Sequence, residues 1–381
     1  MKTFDAVIAG GGLIGSAIAF ELSRARLRVA LFDARDPGNE ASWASAGILS
    51  PAPENSAMIA MVPLGRASMA LYPDFVASVE ELSGLSTGYR AKGTLEALFS
   101  RHARQELSTI IALHHGLGLK AEAISAEQAR ELEPSISEEV EVAVLRPEEA
   151  SVDNRLLTAA LLQAAKRGGA KIFPGLPVKS IWREASQCRG FLLANGEQIA
   201  ARHIIVAAGS FSSQIAGVEQ SAPVRPAKGQ MLSLRNESVK IERVLWSEHI
   251  YLVPRNDGRI LAGATVEHAG YDKTVTAAGI HANLGAAIEL VPALAAARVE
   301  ETWAGLRPDT PDHLPVIGPA DLDGLLIATG HFRSGVLLTP ITAKLIGDYV
   351  AGVTPTLDCD RFSPMRFHAA ASHAKASSPH S

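Results

Sequence analysis

Read from its N-terminal end, the chain alternates short apolar runs with longer stretches whose apolar residues recur at helical spacing. Residues 4–9 form a partly β-branched apolar run that ends in glycines, and residues 13–26 carry apolar positions three and four apart. That pattern predicts strand, tight turn and helix. A second apolar run over 28–32 ends at Asp33, so residues 4–33 read as one β-α-β unit with a parallel strand pair.

The pattern is helical from 55 to 82, then predicts a strand over 94–99, a helix over 101–114 and a short helix after Ser125. Asp153 suits an N-cap, and the helix it opens runs through Lys166 to a Gly168-Gly169 stop. Strands over 171–173 and 178–182 follow, with a hairpin marked by Asn195-Gly196. The run 203–207 is apolar throughout, as in a strand buried on both faces, and ends in Ala208-Gly209-Ser210. From 223 to 310 strands dominate (230–234, 250–253, 260–262) around one helix over 277–290. A last buried strand covers 325–328 and a last helix 335–350.

No internal repeat is visible. Nucleotide-type segments (1–85, 146–220 and 316–365) alternate with the others (86–145 and 221–315). The expectation is an α/β Rossmann domain with a second, α+β domain inserted in two pieces, which a chain of 381 residues is long enough to build. Residues 366–381, rich in Ala, Ser and His, are expected to form a disordered tail.

Charge removes one class of function. With 36 Lys+Arg against 40 Asp+Glu, the formal charge is −4, and the chain has no basic cluster of the kind that neutralises phosphates on DNA or RNA. No nucleic-acid partner is expected. Two cysteines, Cys188 and Cys359, supply neither a disulfide framework nor a four-cysteine zinc site, so the reading is a reducing cytoplasm and no metal. The uncharged run 6–20 is shorter than the ~20 residues a transmembrane helix needs, and glycines at 10, 11, 12 and 15 interrupt it before Glu21. It is read as part of a folded, soluble protein with no transmembrane segment.

The first chemistry-bearing motif is Gly10-x-Gly12-x-x-Gly15, between the first strand and helix. The first Gly makes the turn, the second lets a pyrophosphate approach the backbone beside Leu13 and Ile14, and the third lets the helix pack on the strand. Asp33, eighteen residues past Gly15, is placed to accept from ribose hydroxyls and would repel a 2′-phosphate. NAD and FAD both remain open at this point. With a single such motif, electrons would come from the substrate rather than from a second nucleotide.

Further motifs lie in order along the chain. They are the loop Ala41-Ser42-Trp43-Ala44-Ser45-Ala46-Gly47, the stretch Val206-Ala207-Ala208-Gly209-Ser210, Pro223-Val224-Arg225-Pro226-x-Lys228-Gly229-Gln230, Tyr251-x-Val253-Pro254-Arg255, Gly305-Leu306-Arg307-Pro308 and Gly330-His331-Phe332-Arg333-Ser334-Gly335. Together with Gly10 to Gly15 and Asp33 they resemble the D-amino acid oxidase family of FAD enzymes, within it the glycine oxidases of thiamine biosynthesis. The resemblance runs from about residue 3 to 365.

It implies non-covalent FAD, a glutathione-reductase-type nucleotide fold and a substrate domain with a large antiparallel sheet. FAD would be held by Gly10, Gly12, Leu13, Ile14, Gly15, Asp33, Ala34, Ser42, Ser45, Ala46, Gly47, Val178, Ala208, Gly209, Phe211 and Gly330 through Gly335. In the 42–47 loop, hydroxyls and backbone N–H groups would serve pyrophosphate and flavin edges, although such a loop could equally be a plain connection. The 330–335 stretch would turn its N–H groups and the positive end of the following helix to the flavin.

The resemblance makes Arg307 the grip on a substrate carboxylate, with a planar fork that lysine cannot reproduce. It makes Tyr251 a hydroxyl donor to the same carboxylate and His249, two residues away along the expected strand, a wall of the site. Tyr251 alone would read as an ordinary sheet tyrosine. Arg333 stands either near the substrate or at the cavity entrance, or is a surface residue at a helix start.

The implied reaction is oxidative deamination of glycine, sarcosine or a small D-amino acid. Hydride passes from Cα to flavin N5, O2 becomes H2O2, and the imine either hydrolyses to 2-oxo acid and ammonia or supplies thiamine thiazole synthesis. No dedicated base is needed if binding selects the neutral amine. Phe211, Ile48 and Val266 depart from residues common in the family and are expected to alter the pocket near the flavin. No Cys lies near Gly305, hence non-covalent attachment. Alternatives are a D-amino acid dehydrogenase using another electron acceptor, a non-catalytic flavin-binding partner protein and an NAD dehydrogenase. A homo-oligomer is left open.

Overall fold

In the computed structural model, residues 3–53, 55–99 and 103–368 are described. Strand Thr3–Ala9 sits near the middle of an eight-stranded sheet, parallel to Val29–Phe32 on one side and to Gln198–Val206 on the other. Lys171–Phe173 and Leu325–Thr329 extend the parallel run, and Val316–Pro319 closes one edge antiparallel. These strands are apolar on both faces because helices cover one, while the antiparallel strands Val178–Glu184 and Gln187–Leu193, which branch from Gln198–Val206 and complete the eight, cover the other together with residues 215–224. Helices Leu13–Arg24, Asn154–Arg167 and Thr339–Ala351 share one core with Ile8, Leu31 and Ile205, while Val7, Ala30, Phe32 and Ile204 face a second. The chain departs in opposite directions from Thr3–Ala9 and Gln198–Val206, so a crevice opens at their carboxyl ends, where ligands of open α/β sheets bind.

A second eight-stranded sheet runs in the order Arg298–Asp309, Arg225–Arg235, Ile260–Gly263, Tyr251–Pro254, Val244–Trp246, Thr94–Leu98, Val142–Arg146, Glu122–Ser125. It is antiparallel except for the parallel pair Val244–Trp246 with Thr94–Leu98. One face is apolar: Leu95, Leu232, Leu234, Leu245, Leu252 and Ile260 pack against helix Ala277–Leu290. Register sets the other face. Trp303 lies opposite Met231, Met231 opposite Gly263, Gly263 opposite Tyr251, Tyr251 opposite Trp246, and Trp246 opposite Glu96. Residues directly opposite share a face, so these six form one row across the sheet.

The architecture is thus a mixed α/β fold with a Rossmann sheet and a mainly antiparallel second sheet. Local differences from the expected elements have identifiable causes. The last helix begins at Thr339, not 335, because Pro340 lacks an N–H and is tolerated only in a first turn. His249 is not on a strand: residues 247–250 turn, Ser247 N–H donates to the Ile250 carbonyl at 2.8 Å, and the strand starts at Tyr251. Residues 366–368 of the expected tail are tied down, with Arg366 paired to Asp312 at 2.7 Å and His368 3.2 Å from the Ser221 hydroxyl. Residues 369–381 lie outside the described residues, as does Arg101, the expected start of helix Ala103–Gly116. Both cysteines are buried and free. Among the described residues no helix is long and apolar enough to cross a membrane.

Candidate active site

One cavity of about 1070 Å³ lies between the two sheets and opens on the crevice. Gly10, Gly12, Leu13 and Ile14 line it at the start of the first helix, whose Gly12 cap brings no side-chain hydrogen bond. Gly15 lies behind the wall: a Cβ there would stand 1.9 Å from the Gly10 carbonyl oxygen, so this glycine serves packing. Asp33 and Ala34 line the adjacent corner, where Asp33 accepts from the N–H of Gly11 at 2.7 Å and of Arg35 at 2.9 Å. Those bonds fix the carboxylate at the end of strand Val29–Phe32.

Ser42, Ser45, Ala46 and Gly47 line the cavity; the Ser45 O–H is engaged, while Ser42 Oγ is engaged as an acceptor. Ser42 Oγ accepts from Leu13 N–H at 2.8 Å and Ser45 Oγ donates to the Ser42 carbonyl at 3.1 Å. Beside the Ser42 O–H proton, the loop offers its amides. The N–H groups of Ser45, Ala46 and Gly47 have no acceptor among the described residues. Such orphaned donors, beside a Gly10/Gly12 cradle that side chains would obstruct and an anion-favouring helix start, fit a dinucleotide with its phosphates and polar ring edges.

Val178, Ala208, Gly209 and Phe211 complete this half, Phe211 against Tyr271 with ring centroids 5.2 Å apart. His331, Phe332, Arg333, Ser334 and Gly335 also line the cavity, whereas Gly330 does not; it has φ +73 and its Cβ would meet Thr310 Cγ2 at 2.5 Å. This stretch differs from the expected donor array. Phe332 N–H donates to Pro308 O at 2.8 Å, Ser334 N–H donates to His331 O at 2.9 Å, and the helix starts four residues past Gly335.

On the second sheet, Arg307, Tyr251 and His249 all reach the cavity. Arg307 Nη1 donates to the carbonyls of Thr265 at 3.1 Å and Lys228 at 3.4 Å, and the guanidinium lies flat on Gly229, where a Cβ would be 2.2 Å away. Behind it Lys228, 2% exposed, pairs with Glu267 at 3.3 Å. Burial alone would raise the Glu267 carboxyl, but hydrogen bonds from Thr265, Gln230 and Lys228 hold it below the usual range. Tyr251 is buried, its ring edge-on to Trp246 and its hydroxyl 3.8 Å from Met231 Sδ. His249 is largely exposed at the rim.

Ile48 and Phe211 are in the wall as expected of pocket-shaping residues, but Val266 is 48% exposed and outside it; Ala264 takes that place. Residue reading also missed Met231 and Trp246, which only strand register reveals, and a polar end formed by Glu96, His114 and Arg146. There Arg146 Nε donates to His114 Nε2 at 2.9 Å and Nη2 pairs with Glu96. Burial and the neighbouring Arg146 push the His114 imidazole down.

Burial pushes the His331 imidazole, 3.0 Å from Thr342 Oγ1, down to about 3. The folded protein therefore keeps it neutral at pH values where the unfolded chain, with its ordinary value of 6.5, is protonated. Stability is complete above that value and is expected to fall by about 1.4 kcal/mol per pH unit below it. Urea unfolding of wild type and His331→Gln between neutral pH and about pH 5 checks this. The variant should lose that share of the slope; equal slopes would refute the assignment.

Fold and site together define a dinucleotide-dependent oxidoreductase. The model of the family described as FAD dependent oxidoreductase (DAO) matches residues 5–349, and the chain belongs to that family, whose cofactor is FAD. It is 37% identical over 374 residues to the bifunctional protein ThiO/ThiG of Synechocystis sp., covering 96% of this chain and 54% of that protein. The chain thus spans about half the length of the first curated relatives it matches. It is 33% identical to the glycine oxidase of Geobacillus kaustophilus over 95% of this chain and 97% of that one. The crystal structure of that oxidase superposes with a TM-score of 0.91 at 32% identity, over 96% and 99% of the two chains. The hydrogen cyanide synthase subunit HcnC of Pseudomonas aeruginosa is 31% identical over 96% of this chain and 97% of that one.

Proposed function

We propose that the protein oxidises glycine, or another small amino acid such as sarcosine or a small D-amino acid, at its Cα–N bond, with O2 as acceptor and H2O2 as product. The observation that carries this reading is the pair Arg307 and Tyr251 on the cavity face of the second sheet, across from the orphaned amides of the 45–47 loop. An arginine held by two backbone carbonyls presents its charge in a fixed plane, which suits a carboxylate better than a mobile ammonium would. The Tyr251 hydroxyl adds a donor from the same face of the sheet, three strands away. When bound non-covalently, FAD supplies the two-electron acceptor.

The protein's part is to hold the α-carboxylate, exclude water around the Cα–H and admit the neutral amine. Glycine leaves as its imine, which hydrolyses to glyoxylate and ammonia. Delivery of that imine to thiamine thiazole synthesis is part of the proposal, supported by the likeness to a bifunctional ThiO/ThiG protein.

The test is anaerobic addition of glycine, sarcosine and D-alanine to the yellow holoprotein, followed by oxygen. Bleaching by glycine, then rapid recovery with stoichiometric peroxide, is expected. Bleaching with slow recovery would replace the oxidase by a dehydrogenase, and indifference to all three would overturn the substrate class.

A further inference from the structure

The loop of residues 42–47 is gripped from behind by side chains that the reaction itself does not use. Asn154 Nδ2 donates to the carbonyls of Ser42 at 2.7 Å and Trp43 at 3.0 Å. Arg155 Nε donates to Trp43 O at 3.3 Å, with its guanidinium stacked over the Trp43 ring. Trp303 Nε1 donates to Ala44 O at 3.0 Å, Arg255 Nη2 donates to Ala46 O at 2.9 Å, and Val152 N–H donates to Gly47 O at 2.8 Å. Five consecutive-segment carbonyls are thereby drawn away from the cavity. In a trans peptide the carbonyl of one residue and the N–H of the next point opposite ways, so drawing the Ala44 and Ala46 carbonyls back turns the following N–H groups forward. The N–H groups so turned are those of Ser45 and Gly47, without acceptors among the described residues.

Arg255 is the hub of this clamp. It is buried, follows strand Tyr251–Pro254 of the second sheet, and also donates to Val152 O at 3.1 Å and to Asn154 Oδ1 at 2.7 Å. Its Nε lies 3.5 Å from Asp153, which caps the helix that carries Asn154. One guanidinium therefore ties the substrate-side sheet, a helix of the Rossmann half and the loop to each other.

We propose that Arg255 and Asn154 are positioning residues for the cofactor: Arg255, through the Ala46 carbonyl, sets the Gly47 amide toward bound FAD, and Asn154 holds both Arg255 and the turn at Ser42–Trp43 from which the Ser45 amide follows. This rests on the family's FAD dependence and not on the choice of amine, so failure of the glycine reading leaves it standing. Fixed amide donors beside a ring that gains electrons favour its reduced form; misdirected ones weaken binding and lower the potential.

Two variants test it. Asn154→Asp keeps the size of the side chain and the contact to Arg255 but replaces the two donations by an acceptor. Arg255→Lys keeps charge but cannot span Ala46, Val152 and Asn154 together. FAD affinity by reconstitution of the apoprotein, the visible spectrum, the two-electron potential and the apoprotein melting temperature are measured for each. At least tenfold weaker FAD binding is expected in both, with an altered visible band. A tenfold preference lost for reduced over oxidised flavin appears as a potential about 30 mV more negative. A lower apoprotein melting temperature with wild-type affinity, spectrum and potential would overturn the proposal, since it would make the clamp structural only. Should Arg255→Lys not fold, Asn154→Asp, which leaves the Arg255–Asp153 pair in place, decides alone.

Discussion

Arg307→Ala is expected to lower kcat/KM for glycine by on the order of 10²- to 10³-fold while FAD content stays at the wild-type level. Truncating one partner of a hydrogen-bonded charge pair in a desolvated site costs about 2–5 kcal/mol, and each 1.4 kcal/mol is about tenfold. Arg307 belongs to the second sheet and donates to the Thr265 and Lys228 carbonyls, whereas the Gly10/Gly12 cradle belongs to the Rossmann sheet. Arg307→Lys should recover only part of the loss, because a single ammonium cannot reproduce the two-pronged geometry.

Gly229→Ala supplies a second route to the same outcome with the arginine still present. The new Cβ would occupy the plane now held by the guanidinium, 2.2–2.6 Å from its atoms, and the flexible end of Arg307 would move rather than the sheet. Steady-state peroxide production with FAD-to-protein ratios checks both. Wild-type kcat/KM in Arg307→Ala would remove the carboxylate role assigned here.

The cofactor half of the site was the more legible half, for a physical reason. Its signals are local: a β-branched run, glycines at fixed spacing, a helical pattern and an acid at the next strand end all lie within residues 4–33, and backbone geometry ties each to its neighbours. The row Met231, Tyr251, Trp246 and Glu96 is made by pairing strands far apart in sequence, and a single residue of register decides its face. The resemblance alone places Val266 in the wall; past Gly263 the chain leaves the strand, and the Val266 side chain is exposed. His249 reaches the cavity from a turn and not from a strand, so strand alternation does not extend to it. Strand Glu122–Ser125, an edge strand exposed along most of its length, has no buried face for alternation to mark. The clamp behind the 42–47 loop was invisible because a buried arginine and asparagine declare their partners only after folding.

Gly10→Ala is expected to yield a colourless protein of sharply reduced stability, with a larger effect than alanine at Gly12 or Gly209. Gly10 has φ +102, and a Cβ there would lie 2.4 Å from Ala207 O and 2.7 Å from Ala208 Cα. These are backbone atoms at the end of the neighbouring parallel strand, locked by Ala207 N–H donating to Ala9 O and Gly10 N–H donating to Phe32 O, each at 2.8 Å. Relief requires moving two central strands apart. The φ strain costs about 1–3 kcal/mol and the overpacking about 1–3 kcal/mol, a large share of a net stability of about 5–15 kcal/mol.

Gly12→Ala meets only Ser42 Oγ, at 2.8 Å. That side chain can rotate, at the expense of the bond it accepts from Leu13 N–H, so FAD affinity should fall more than stability. Gly209 has φ +54 and nothing within 4 Å of a new Cβ, so its alanine variant carries the conformational cost alone, about 1 kcal/mol. Urea unfolding of the apoproteins should therefore rank the losses Gly10, then Gly12 and Gly209, with FAD reconstitution failing outright only for the first. An apoprotein of Gly10→Ala as stable as that of Gly209→Ala would mean that the strand ends yield, and that the close approach at the crevice is not what holds the cradle in shape.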